Sequence, residues 1–302
     1  MKRRSPIIAG QGLSHPNVRE GHGRGRFPVE KAVHAREAKG DTTLHASVMA
    51  TGQLNGELTI WLLPEEVPVA LHINSVPYAV MMATPADLED FAIGFVLSEG
   101  LVAHAADIAN VLAFRSGGGI TADVAVPEGK LIRERMVARS LEGRVGCGLC
   151  GIAEMEDAIR MPEGKLKSRP LMPTAVARAF EALPSFQPMN AVNRTVHAAA
   201  WCGSDGSILL AREDVGRHNA LDKLIGAMAR AHVPPTDGFA LMSSRCSFEL
   251  VQKCALAGIS ALATISAPTA LAHRLAREAG LSLAALSKDG VMIFDGDGHG
   301  SA

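Results

Sequence analysis

The chain has 302 residues, 47% hydrophobic and 20% charged, with a formal net charge of -1 at pH 7. That balance excludes a general nucleic-acid binder, which needs a strong positive field, and no apolar run approaches the ~20 residues that span a bilayer. Five cysteines, an odd number with one close-spaced pair, argue against a disulfide framework and for a reducing cytoplasm.

Residues 1 to about 45 carry nine Lys/Arg against four Asp/Glu, include Gly21-His22-Gly23-Arg24-Gly25-Arg26, and show no apolar period. They read as a poorly ordered basic leader, either a solvated tail or a docking arm for an acidic partner. The apolar stretch after Met1-Lys2-Arg3-Arg4 is too short for a secretory signal. Residues 46–145 form a β-rich part with one helix. Strands are expected at Thr59–Leu63, Val69–Ile73 and Tyr78–Met82, with Pro64 and Pro68 marking a turn. A helix follows to Leu97, with Thr84 as its N-cap, Pro85 in its first turn, and Leu88, Phe91, Phe95 and Val96 on its apolar face. Strands near Val111–Arg115 and Ile120–Val126 flank Ser116-Gly117-Gly118-Gly119. No helix follows that glycine run, so it reads as a hairpin loop rather than a phosphate cradle.

Residues 146–173 comprise a cysteine loop and a linker rich in Pro, Lys and Arg. Gly146-Cys147-Gly148-Leu149-Cys150-Gly151 precedes a short helix expected at Ile152–Ile159. From 174 to 302 the pattern alternates. After a helix at Ala175–Leu183 come strand Ser207–Ala211, helix Arg217–Ala231, strand Phe239–Ser243, helix Phe248–Ala257, strand Ile259–Ile265 and helix Thr269–Ala279. Strands near Leu283–Leu286 and Val291–Phe294 complete it. Such alternation specifies the α/β class, a sheet with helices on its faces.

The glycines around Cys147 and Cys150 leave the two thiols sterically open. Four chemistries compete for such a pair. A structural zinc site needs four ligands, and only one close pair exists, although Cys202, His197 or His218 could complete a site from afar; no metal is assigned. A dithiol oxidoreductase would place the motif at a helix start, which Ile152 supplies, but the flanks lack the aromatic residue such proteins use. A persulfide carrier needs a thiolate on a mobile, accessible loop, and the glycines meet that requirement. The fourth reading is two cysteines that merely pack.

Two further blocks sit at strand ends. Arg212-Glu213-Asp214-Val215-Gly216-Arg217-His218-Asn219 gathers polar groups at the C-terminal end of a strand, where α/β folds place ligands. Ser243-Ser244-Arg245-Cys246-Ser247 enters a helix with free N–H groups, hydroxyls and an arginine fork, and Ser266-Ala267-Pro268-Thr269 repeats the geometry one strand later. Together they suggest one sheet edge facing a phosphorylated ligand.

From about Leu58 to Phe294 the sequence closely resembles the FdhD family, sulfurtransferases that act as accessory proteins for molybdenum- or tungsten-dependent formate dehydrogenases. The resemblance rests on Gly146–Gly151, on Glu213-Asp214-Val215-Gly216-Arg217-His218-Asn219-Ala220-Leu221-Asp222-Lys223, on Phe248-Glu249-Leu250-Val251-Gln252-Lys253, on Ser266–Thr269 and on Asp90–Phe95. It implies a core similar to the cytidine deaminase fold, three-layered, with a smaller β-rich N-terminal part and a mobile cysteine loop. His197-Ala198-Ala199 sits where those deaminases carry His-x-Glu, and without the Glu deamination is not supported. The resemblance also implies that Cys147 accepts persulfide sulfur from a cysteine desulfurase, with Cys150 assisting by exchange. The sulfur then passes to the bis-molybdopterin guanine dinucleotide form of the molybdenum cofactor. Asp214, Arg217, His218, Ser243 and Arg245, with Leu286, Ser287, Lys288, Asp289, Gly290 and Val291, are expected to line the site for its two arms, Arg217 and Arg245 pairing with phosphates. The sequence departs from the family pattern at Thr195-Val196, at Ser244-Arg245-Cys246 and at Leu286–Val291, where Lys288 stands in place of an arginine. A two-armed cofactor suits a homodimer, with Leu271, Leu275 and Ile293 as candidate covered surface.

Overall fold

The structure, a computed structural model, describes residues 47–136, 159–162 and 164–294. The basic leader, Cys147, Cys150 and all of the expected helix at Ile152–Ile159 except its last residue lie outside the described residues. The chain enters as a hairpin of β1 (Ser47–Leu54) and β2 (Glu57–Pro64), a two-stranded sheet of its own. Asn55 and Gly56 both take positive φ at its turn, 52° and 85°, the geometry that an Asn-Gly pair supplies.

A four-stranded sheet follows, ordered β4-β3-β6-β5, from β3 (Val67–Ile73), β4 (Val76–Ala83), β5 (Asn110–Ser116) and β6 (Gly119–Ala125). The glycine run at 117–119 does close the β5–β6 hairpin. Helix α1 (Leu88–Ser98) lies on this sheet and buries Phe91 and Phe95 among Val69, Leu71, Ala122 and Val124. The helix starts later than the Thr84-Pro85 signal suggested. Asp87 precedes it in the left-handed region at φ 53°. Thr84 is fully buried and points elsewhere: its hydroxyl accepts from the Val215 N–H at 3.1 Å. A capping residue type has been recruited into a contact 131 residues away.

The third sheet has six strands in the order β12-β11-β10-β9-β7-β8. They are β7 (His197–Gly203), β8 (Ile208–Asp214), β9 (Gly238–Arg245), β10 (Ala261–Ser266), β11 (Ser282–Ser287) and β12 (Gly290–Phe294). Its helices are α2 (Pro173–Ala182), α3 (Pro188–Asn193), α4 (Arg217–Arg230), α5 (Phe248–Leu256) and α6 (Ala270–Ala279). Strand alternation assigns the two faces. Ala198, Ala200 and Cys202 pack with Val176, Ala179 and Phe180 of α2, whereas Ala199 and Trp201 pack with α4, α5 and α6. The result is three layers: helix, sheet, helices.

Helices α1 and α4 join the four-stranded and six-stranded sheets. A Cβ added at Gly94 would land on the backbone carbonyl of Asp222, and one at Gly226 on that of Asp90. The helices therefore touch backbone to backbone, as only glycine permits. Charged groups fasten the same seam. Asp90, 2% exposed, takes Arg212 at 2.8 Å and Arg230 at 2.9 Å. Lys253 Nζ donates to Asp222 at 3.0 Å and to Ser98 Oγ at 2.9 Å.

Leu275 belongs to the core, and Leu271 and Ile293 pack against it, so these three do not form an open apolar face. Among the described residues, seven of the sixteen exposed large apolar side chains lie on the β1–β2 hairpin.

Candidate functional site

Strand direction decides what meets at the site. β8, β9, β10 and β11 run parallel to one another, and β7 and β12 run against them. The C-terminal ends of the four parallel strands, the start of β7 and the β11–β12 turn therefore share one edge. In spatial order that edge carries Leu286–Val291, Ser266–Thr269, Ser243–Arg245, His197 and Asp214–His218. Register agrees: Ser266 pairs with Arg245, and His197 with Asp214. The blocks singled out in the sequence converge on this edge of the sheet, as ligand sites of α/β sheets do.

They do not all face outward. Asp214 is fully buried and its oxygens are taken. Oδ1 accepts from the Gly216 N–H at 2.8 Å and Asn219 Nδ2 at 3.0 Å; Oδ2 accepts from the Thr84 N–H at 3.0 Å and pairs with Lys223 at 2.6 Å. Asp214 fastens the edge from behind. Ser243 Oγ likewise accepts from the Ala198 N–H at 2.8 Å, which ties β9 to β7. Leu286 and Val291 pack against the core and hold up a turn whose tip, Ser287 to Gly290, is exposed. Within it Ser287 Oγ donates to the Gly290 carbonyl at 2.8 Å. Arg245 and Lys288 are exposed and Arg217 is half-buried, so three cationic side chains stand along the edge.

Deeper groups complete it. His218 lies in the first turn of α4, buried, and its pKa falls to about 3: burial acts first, then the positive charges of Arg217 and Lys253 and the nearby His197. Burial and Arg217 also lower His197. Both imidazoles are neutral at pH 7. His218 Nε2 stands 4.0 Å from Glu249 Oε2 on α5. Neither atom makes a hydrogen bond, nor does Ser247 Oγ at the start of the same helix, although all three are buried. Each unmet group costs ~1–3 kcal/mol, and several on neighbouring helix starts make this place a candidate ligand position. Ser247 belongs to the Ser243–Ser247 block expected at the site, whereas Glu249, two residues on, is a functional candidate that sequence reasoning did not assign to it. Its position directly after that block was the available signal; its burial was not.

The three described thiols are alike. Cys202 and Cys246 are buried, and burial lifts both to about 12; Cys254 is pushed higher still. The extra thiol at Cys246 is therefore protonated and inert at neutral pH. Where the described chain resumes, the Arg160 N–H donates to Gln252 Oε1 at 2.6 Å. Gln252 lies three residues beyond Glu249 on α5, about one helical turn. Among the described residues no cluster of three or more His, Cys, Asp or Glu side chains could hold a metal ion. No helix among them is long and apolar enough to cross a membrane.

Comparison with known proteins gives a consistent answer. The FdhD/NarQ family matches residues 64–297. A sulfur carrier protein FdhD of Xanthomonas campestris pv. campestris (strain B100) is 48% identical over 228 residues, 76% of this chain and 81% of that protein. The protein of that name from Chromobacterium violaceum is 46% identical over 264 residues, 84% of this chain and 95% of the relative. Among solved structures, a protein described as a formate dehydrogenase accessory protein from Desulfotalea psychrophila superposes with a TM-score of 0.64 at 21% identity. It covers 83% of this chain and 97% of its own, a likeness of fold.

Proposed function

The chain belongs to the FdhD/NarQ family, and on that premise we propose how it works as a sulfur carrier in formate dehydrogenase maturation. A cysteine desulfurase presents an outer persulfide sulfur. The Cys147 thiolate attacks it, the donor thiolate leaves, and the sulfur is carried with no net oxidation. Cys150 assists by exchange. The acceptor is the bis-molybdopterin guanine dinucleotide form of the molybdenum cofactor, held along the carboxyl edge of the six-stranded sheet. Arg217 and Arg245 pair with its phosphates, and Lys288 adds a point charge from the turn. The protein acts in this reading as a cytoplasmic sulfurtransferase, and a two-armed acceptor is matched by a homodimer.

One observation carries the reading. Cationic side chains and three unbonded buried polar atoms converge on a single sheet edge, and the chain rejoins the described fold within about a helical turn of Glu249. The described thiols support it as well, since all are buried and protonated. The deciding experiment is intact-mass analysis after incubation with a desulfurase and cysteine. The wild type gains about 32 Da per sulfur on a loop cysteine. Cys147→Ala gains none, keeps its fold and fails to activate the client dehydrogenase. Full client activity in that variant would sink the carrier mechanism, whereas zinc at one equivalent would favour a metal-binding chaperone.

A further inference from the structure

We propose that Thr84 is a positioning residue for the ligand edge: its hydroxyl fixes the turn between β8 and α4 and thereby aims the Arg217 guanidinium. The inference rests on the phosphate-binding role given to Arg217 above.

Only Val215 and Gly216 separate the last residue of β8 from the first of α4, which is Arg217. The direction of that arginine therefore follows from a very short stretch of backbone. A helix start of this kind is normally set by a side chain at its N-cap. Here the N-cap is Gly216, which has no side chain, and no side-chain bond caps the helix. The fixing comes from outside α4.

It comes from the end of β4, 130 residues earlier in the chain. Thr84 is fully buried and binds the segment around the turn through its N–H, its carbonyl and its hydroxyl. The N–H donates to Asp214 Oδ2 at 3.0 Å, the carbonyl accepts from Lys223 Nζ at 2.9 Å, and the hydroxyl accepts from the Val215 N–H at 3.1 Å. Two residues back, the Met82 carbonyl accepts from Asn219 Nδ2 at 2.7 Å. The anchor itself is stiff. Buried Pro85 confines Thr84 to extended backbone, and branching at Cβ restricts its χ1.

The hydroxyl's bond is the informative one. The seam between α1 and α4 is already closed by the backbone contacts at Gly94 and Gly226 and by the ion pairs of Asp90 and Lys253. Asp214 and Lys223 meet each other without the threonine side chain. The hydroxyl supplies an acceptor for the Val215 N–H, two residues ahead of Arg217. Valine at this position keeps the shape and both backbone bonds but removes that acceptor, and an amide left unmet in a buried place forces its surroundings to adjust. The turn relaxes, and Arg217 moves with it.

Calorimetry with GDP on the full chain, at a temperature where circular dichroism shows every variant folded, tests this. Thr84→Val is expected to bind about 3- to 10-fold more weakly than the wild type, and Thr84→Ser, which keeps the oxygen, within about 2-fold of it. Val124→Ala opens a cavity in the core of the four-stranded sheet; it is expected to lower stability and leave the affinity unchanged. In an Arg217→Ala background Thr84→Val is expected to add less than about 2-fold, because both act through one contact. A signature without ligand accompanies these. Burial first, and then Arg217, hold the His197 imidazole below its ordinary pKa against the opposing effect of Asp214, so its NMR titration should move upward in Thr84→Val. Unchanged affinity in Thr84→Val, an unmoved His197 titration, a loss shared by Val124→Ala, or losses that multiply in the double variant would overturn the positioning role. A wild type that binds no GDP overturns the phosphate role of Arg217; a His197 shift in the same samples would still support Thr84 as the residue that aims it.

Discussion

His218 and Asp214 lie four residues apart and play opposite parts. Asp214 spends its carboxylate on four protein donors, while His218 keeps Nε2 unbonded beside Glu249. The depressed pKa of His218 has a stability consequence with a definite sign. The unfolded imidazole binds a proton near pH 6.5 and the folded one only near 3, so the folded state loses stability as pH falls through that window. Between pH 6.5 and 3 the loss from this residue is on the order of 4 kcal/mol. Urea titrations across that range should show a shallower decline for His218→Gln than for the wild type, with little difference at pH 8. At the ligand edge, calorimetry with GDP should give about a 10-fold weaker affinity for Arg217→Ala and for Arg245→Ala, as expected for one lost charge-assisted hydrogen bond each. Unchanged affinity in both would place the nucleotide elsewhere.

At the scale of elements, the crossing of α1 and α4 is the least forgiving contact described. Gly94→Ala or Gly226→Ala drives a methyl group into a backbone carbonyl that no rotamer change can relieve. Each should cost more than about 3 kcal/mol, read as a large drop in Tm, despite alanine's better helix propensity. Gly52→Ala on β1, where added Cβ meets nothing, should be nearly neutral. These glycines also show what the sequence could not convey. The strand–helix alternation after residue 207 was legible because each strand is a short apolar run ended by a turn signal. β7 was not: His-Ala-Ala-Ala-Trp-Cys-Gly lacks a β-branched residue, and its alanines are small because helices close on both faces. β1 was missed because its exposed faces leave no alternation to detect. Thr84 misled for a related reason, since its cap-like setting is local and its partners, Val215, Asp214 and Lys223, are remote. The candidate site's composition could be read from blocks of sequence; which members are open at the edge and which brace the sheet depended on burial.

Across the whole molecule, the buried charges tie the early part of the chain to the late part. Asp222→Asn would leave Lys253 with Ser98 and Glu99 but without its main counter-charge, at a cost of about 3–5 kcal/mol. Both sheets should register that loss together, seen as equal acceleration of hydrogen exchange in β3 and β9. Separation along the chain gives the same bonds a meaning in time. Asp90 waits for Arg212 across 122 residues and for Arg230 across 140, and Glu99 waits for Lys253 across 154. At about 5–20 residues per second of synthesis, those cations emerge on the order of ten seconds after the acids they neutralise. During that interval the nascent four-stranded layer carries an acidic helix with no counter-charge, which keeps it hydrated and discourages early closure against the wrong surface. The charges buried at the end of folding thus serve, while the chain is still on the ribosome, as a soluble placeholder for the half not yet made.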